Sequence, residues 1–187
     1  YRQSMEKYGL LGKKAVAVID YKFDEKYLQT ENQAYHNDRV MRKMISLFER
    51  YFGKINYLNQ YNRQAFIISA DNTEEKDIVN TIRTIYNIFI KENKHVHVRI
   101  GIGEIAQGLE GLKKSYDQSR IARKTINKSG VMFYKELGIY QLLFYIDDTS
   151  KIDDYVKEIL NPLLIYDKKN NQNLIDTLRE YLKCGQN

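Results

Sequence analysis

Apolar and polar positions along this chain switch between two periods, and the switches mark its elements. Ala15-Val-Ala-Val-Ile19 is a continuous apolar run closed by Asp20, which predicts a buried strand with a polar residue at its tip. From about Thr30 to Phe52, Met41, Met44, Ile45, Phe48 and Phe52 recur at helical spacing, and Gly53 supplies a stop. Ile55–Asn59 and Ala65–Ser69 then predict two strands of a hairpin around a polar turn, Gln60 to Gln64. Thr73 is placed to cap a helix whose buried stripe is Ile78, Ile82, Ile85 and Phe89. His95-Val-His-Val-Arg-Ile-Gly-Ile-Gly103 alternates as a strand does. A connection, Glu104 to Gly111, leads to a helix with a small-residue face at Leu112, Ser115, Ser119, Ala122 and Ile126.

The remaining segments are shorter. Tyr1 to Tyr8 reads as the end of an incoming helix, stopped by Gly9 and Gly12. Val131–Tyr134 is a short strand, with helices near Tyr140–Ile146 and Ile152–Leu160, the second running to Pro162. After an Asn-rich break at 170–173, Leu174, Leu178, Tyr181 and Leu182 share one face of a last helix, which Asn173 is placed to cap. The order strand, helix, strand, strand, helix, strand predicts an α+β sandwich. Its centre is a ferredoxin-like βαββαβ sheet with helices on one face, followed by a further helix and strand and a helical extension.

Composition narrows the class. Of 187 residues, 43% are hydrophobic and 29% charged, a globular balance, with 16 Tyr and 7 Phe to fill a core. No apolar run approaches the ~20 residues that cross a bilayer, and no stretch of the sequence reads as a signal peptide. A lone cysteine, Cys184, gives no internal disulfide framework and fits a reducing cytoplasm. The first residue is Tyr1, and the last predicted helix stands almost at the chain end, so the sequence reads as a piece of a longer protein. The net charge of +6 invites a nucleic-acid reading, but Lys and Arg are scattered among nearly as many acids, with no dense basic stripe.

Few residues suggest chemistry on their own. His95 and His97 point to one face of a strand, as a zinc pair would, but nothing near them in sequence completes a ligand set, and His36 lies on another helix. Gly101-Ile-Gly103 lacks the third glycine and the immediate helix start of a phosphate loop. Asp147, Asp148, Asp153 and Asp154 flank a helix start, where acids complement the helix dipole. No Ser-His-Asp or Cys-His arrangement suggests a nucleophile. An acid at a strand end commonly caps the next turn, which is the reading preferred for Asp20. Arg63 reads as a solvated turn residue.

Three stretches together resemble the GGDEF domain of diguanylate cyclases, over roughly residues 13 to 134. Tyr61-Asn-Arg-Gln-Ala-Phe66 sits where that family writes Tyr-Gly-Gly-Asp-Glu-Phe. Arg99-Ile-Gly-Ile-Gly103 resembles its following strand, and Tyr116-Asp-Gln-Ser-Arg-Ile-Ala-Arg-Lys124 its final helix. The resemblance implies a metal-assisted nucleotide site, and the residues depart from it. Asn62 and Arg63 replace the glycines that admit the nucleotide. Gln64 replaces the aspartate, and Ala65 replaces the glutamate that would hold a divalent metal. The family's metal aspartate has a match in Asp20. Its Arg-x-x-Asp product site would fall at Gly53 and Asn56 and is missing. The expectation is a degenerate domain with no catalytic residues, no metal and no cofactor.

Pro162-Leu-Leu, Tyr166-Asp, Lys169-Asn-Asn, Leu174, Thr177-Leu and Tyr181-Leu182 resemble the run-in to the helix-turn-helix of PucR/CdaR-type bacterial transcriptional regulators. That family is described as carrying a GGDEF-like domain ahead of its DNA reader. The resemblance implies an incoming linker helix at 1–12, a degenerate GGDEF-like domain at 13–147 and a helical linker at 148–169. Residues 170–187 would hold the supporting helix of a truncated helix-turn-helix, which does not itself enter the groove. The expected role is a non-catalytic, cytoplasmic relay between an upstream sensor and a downstream reader. Its partners would be DNA, through the missing C-terminal domain, and a second copy in a homodimer, with no membrane. An unknown small-molecule effector is a further expected partner. The alternatives are a divergent nucleotide cyclase-like enzyme and a domain sensing a nucleotide, purine or sugar acid.

Overall fold

The computed structural model describes residues 10–24, 33–145 and 149–184. The expected incoming helix at Tyr1–Tyr8, the helix start at Thr30, and Asp147 and Asp148 lie outside the described residues. The chain divides into two units, Tyr1–Gln141 and Leu142–Asn187.

The first unit is built on β1 (Lys13–Phe23), α1 (Gln33–Phe52), β2 (Asn56–Gln60), β3 (Arg63–Ser69), α2 (Glu75–Glu92), β4 (Val96–Ile102), β5 (Ala106–Gln107), α3 (Gly108–Thr125) and β6 (Gly130–Phe133). A 3-10 segment, Tyr134–Tyr145, follows and is broken at Gly138, where φ is 52°. The strands form one six-stranded sheet ordered β2-β3-β1-β4-β6, with β5 paired to the start of β1. All pairings are antiparallel except β4 with β6. The first six elements therefore take the expected βαββαβ order, with β1 at the centre of the sheet.

Alternation along β1 divides the core in two. Ala17, Ile19, Tyr21 and Phe23 face the stripes of α1 (Val40, Met41, Met44, Phe48) and α2 (Ile78, Ile82, Ile85, Phe89) in the main core. The rings of Phe48 and Phe66 stack there with centroids 4.1 Å apart. Val16 and Val18 point the other way and pack with Ala65 against Leu112 and Tyr116 of α3. The sheet is thus covered on both faces. The helix that completes the second face lies after the βαββαβ unit, which is why that motif alone predicts one covered face.

Glycine explains how α3 lies so close. A Cβ on Gly101 would stand 2.0 Å from the Ser119 carbonyl oxygen, and one on Gly103 would stand 1.9 Å from that of Ser115. The two glycines and the buried serines opposite them form a helix–strand contact that admits no further atom. Ser115 also receives the Val16 backbone N–H at 3.0 Å. Three local expectations are corrected. The hairpin turn is only Tyr61-Asn62, with Tyr61 at φ 50°, because the β2–β3 ladder runs out to the Gln60–Arg63 pair. Helix α2 begins at Glu75 with Glu74 at its N-cap and no side-chain cap, so Thr73 does not serve. The connection 104–111 contains β5 and the first turn of α3.

The second unit contains α4 (Thr149–Asn170) and α5 (Leu174–Lys183). Helix α4 runs through Pro162 instead of ending there. Proline removes one N–H from a helix interior without forbidding the turns on either side. The reversal comes at Asn171, whose φ of 52° is one that Asn tolerates better than most residues. Asn173 provides no side-chain cap for α5. The Asp167 carboxylate does so instead, accepting the N–H groups of Leu174 at 2.9 Å and Ile175 at 3.0 Å. No helix among the described residues is long and apolar enough to cross a membrane.

Candidate functional site

Asp20 stands inside β1, three residues short of its end, and is buried. It is registered opposite Arg63 of β3 on one side and Arg99 of β4 on the other. The pleat turns all three side chains toward the face that α3 covers. Arg99 grips the carboxylate with two donors, Nε at 3.0 Å and Nη2 at 2.8 Å. Arg123, on the last turn of α3, donates Nη1 to the same carboxylate and is itself buried, its side chain 7% exposed. Asp20 is therefore not a turn cap. It is the shared counter-ion of arginines brought from β4 and α3.

The hairpin residues are also occupied. The Asn62 amide donates to the Tyr21 carbonyl at 3.0 Å, and the Tyr21 N–H donates to the Asn62 carbonyl at 3.0 Å, tying the turn to β1. Gln64 is 1% exposed and faces the main core. Its amide nitrogen donates to the Met41 carbonyl at 3.2 Å and to the Asn59 side chain at 3.0 Å, and its oxygen accepts from the Tyr21 hydroxyl. Burial pushes the Tyr21 phenol well above its ordinary pKa, which keeps it a donor. Ala65 shares the face of Asp20, but its methyl is packed against Val16 and Val18. Arg63 opens β3 and is half-buried, not a solvated turn residue.

The divalent metal implied by the GGDEF resemblance does not fit these residues. A hard cation needs several free oxygen ligands. The Asp20 oxygens are already directed at guanidinium groups, and Ala65 offers no donor atom. Among the described residues no group of three or more His, Cys, Asp or Glu side chains could hold a metal ion. The local charge runs the other way, with Arg99 and Arg123 on one carboxylate and Arg63 in register opposite it. The Nε atoms of Arg63 and Arg123 are buried without a hydrogen-bond partner, and burial lowers the Arg123 pKa from its ordinary value.

The other candidates are placed elsewhere. His97 lies 3.1 Å from Asp24, and His95, at the turn before β4, is half-buried. Gly101 and Gly103 serve the packing of α3. Asp153 and Asp154 are exposed on α4, with Asp154 3.9 Å from Lys157. On α5, Leu178 is half-buried, whereas Leu174, Tyr181 and Leu182 are exposed. Sequence reasoning passed over Arg99 and Arg123, although both carried a signal. Arg99 shares the His95–Gly103 alternation on the glycine face. Arg123 lies four residues after Ser119, in the buried stripe of α3.

A protein-family model described as "GGDEF-like domain" matches residues 8–125. The DNA-binding transcriptional activator AdeR of Bacillus subtilis (strain 168) is 22% identical over 167 residues, which cover 79% of this chain and 40% of that protein. The chain therefore spans less than half the length of that relative. Among solved structures, the active GGEEF domain of a diguanylate cyclase from Vibrio cholerae aligns with a TM-score of 0.51 at 14% identity, covering 71% of this chain and 88% of that one. A guanylyl cyclase domain of the RhoGC fusion protein from the aquatic fungus Blastocladiella emersonii gives a TM-score of 0.48 at 9% identity, covering 66% and 79%. At 14% identity the likeness to the diguanylate cyclase is one of fold alone. From the family match and the α+β sheet just described, the chain belongs to the GGDEF-like domain family.

Proposed function

We propose that this domain is a non-catalytic module of a bacterial transcriptional regulator of the PucR/CdaR type. It relays signal or dimerisation between an upstream sensor and a downstream DNA-binding helix-turn-helix, of which α5 is the first helix. The observation that carries the non-catalytic half is the engagement of Asp20 by Arg99 and Arg123. The carboxylate of the cyclase-like position is spent on internal ion pairs, and its mate is the buried Ala65. Similarity to a DNA-binding transcriptional activator supports the regulatory half. So does the exposed apolar surface of α5 at Leu174, Tyr181 and Leu182, which suits packing against further helices.

Incubating the chain with GTP and magnesium and separating the nucleotides by chromatography tests the first half. No cyclic or dinucleotide product above the buffer control is expected. Steady turnover that scales with protein concentration would restore the cyclase reading.

A further inference from the structure

We propose that the Arg63–Arg99–Arg123 cluster is a binding site for a phosphate-class dianion, which takes the place a metal would occupy in a cyclase. This goes beyond the relay role and does not depend on which regulator carries the domain.

The first argument is charge. Guanidinium groups from β4 and α3 share the single carboxylate of Asp20, and Arg63 of β3 is registered opposite it, leaving a local excess of positive charge. Arginine does not relieve such an excess by losing its proton at neutral pH. Lys22 extends the same face one alternation further along β1 and is exposed. Beside it His97 is paired with Asp24, so that acid is directed at the histidine and not at the arginines.

The second argument is unmet donor capacity. Asp20 takes two donors from Arg99 and one from Arg123. Arg63 makes no hydrogen bond to it, and the buried Nε atoms of Arg63 and Arg123 have no partner. Buried polar groups are nearly always satisfied, so orphaned donors on charged side chains call for an acceptor. The third argument is geometry. Arg63 and Arg99 flank Asp20 on neighbouring strands, and the Arg99 side chain is still 34% exposed, so the cluster opens to solvent on that side. Guanidinium forks match the spacing of phosphate oxygens, and a dianion would satisfy the spare donors and cancel the excess charge together.

The test is a titration of the chain with inorganic phosphate in EDTA, balanced with chloride to constant ionic strength. Melting temperature and the amide resonances of residues 20, 63, 99 and 123 are followed. Saturable shifts at those residues and a rising melting temperature are expected. Arg63→Gln removes a half-buried side chain that makes no hydrogen bond to Asp20 and carries an unpartnered donor, so its ligand-free melting temperature should be no lower than that of the wild type. Its phosphate affinity should fall roughly tenfold or more, as loss of a charge-assisted hydrogen bond implies. A parallel arm with a nucleoside monophosphate distinguishes the sources. Tighter binding with the same shifts supports a nucleotide phosphate, and equal binding supports free phosphate. No saturation, equal affinity in Arg63→Gln, or a response that requires magnesium would overturn the site. The last outcome would also revive the metal-dependent reading, so failure here is separable from failure of the turnover assay.

Discussion

Asp20 shows how far a single residue's role lies from its sequence neighbourhood. Beside an apolar run it reads as a strand-end acid, yet its partners Arg99 and Arg123 come from positions 79 and 103 residues away. Nothing local announces them. Removing one partner of a buried ion pair costs more than the pair contributes, because the remaining charge is left unpaired. Asp20→Asn keeps the side chain's shape and strands Arg123 in the interior. It is expected to destabilise the domain by about 3 kcal/mol, read as a lower urea midpoint with unchanged slope. A change under 0.5 kcal/mol would mean that the arginines find other partners. Gln64 teaches the same lesson on the opposite face. In sequence it is a substitution in a motif. In the fold it joins the Met41 carbonyl on α1, Asn59 on β2 and the Tyr21 hydroxyl on β1.

At the scale of elements, periodicity was a good guide wherever one face is apolar and the other polar. The stripes of α1 and α2 and the alternation of β4 lie in the core as their spacing predicts. It failed at boundaries, where single side chains decide. Asp167, not Asn173, caps α5. Pro162 does not end α4. The small-residue face of α3 was legible, but its purpose was not, since Gly101 on β4 and Gly103 just past its end belong to a segment read separately. Their contact yields a sharp expectation. Gly103→Ala would place a methyl 1.9 Å from the Ser115 carbonyl oxygen, and backbone cannot yield as a side-chain tip can. The helix must lift, at a cost of roughly 3 kcal/mol, seen as a lower melting temperature with native helix content at 20 °C. A melting temperature equal to the wild type would show that α3 is not so closely docked.

At the scale of the molecule, the buried hydrophobic clusters among the described residues lie between Val16 and Leu137, within the first unit. A chain ending at Gln141 is therefore expected to unfold cooperatively, with a melting temperature within a few degrees of the whole. Loss of a cooperative transition would mean that Leu142–Asn187 is part of the folding unit. That second unit keeps Tyr155, Ile159, Ile165 and Tyr181 exposed.

The sequence alone determined the element order and the two faces of the main strands, because burying apolar side chains imposes a period that can be counted along the chain. It also determined that the cyclase-like motif lacks its glycines and its glutamate, because those are identities at single positions. Only the tertiary structure decided that α3 closes the second face of the sheet and that Asp20 is held by Arg99 and Arg123. It alone brought arginines of β4 and α3 to one carboxylate, with Arg63 in register beside it. Charges and close approaches act through space, and the chain carries no local period for residues that meet only when β1, β3, β4 and α3 come together.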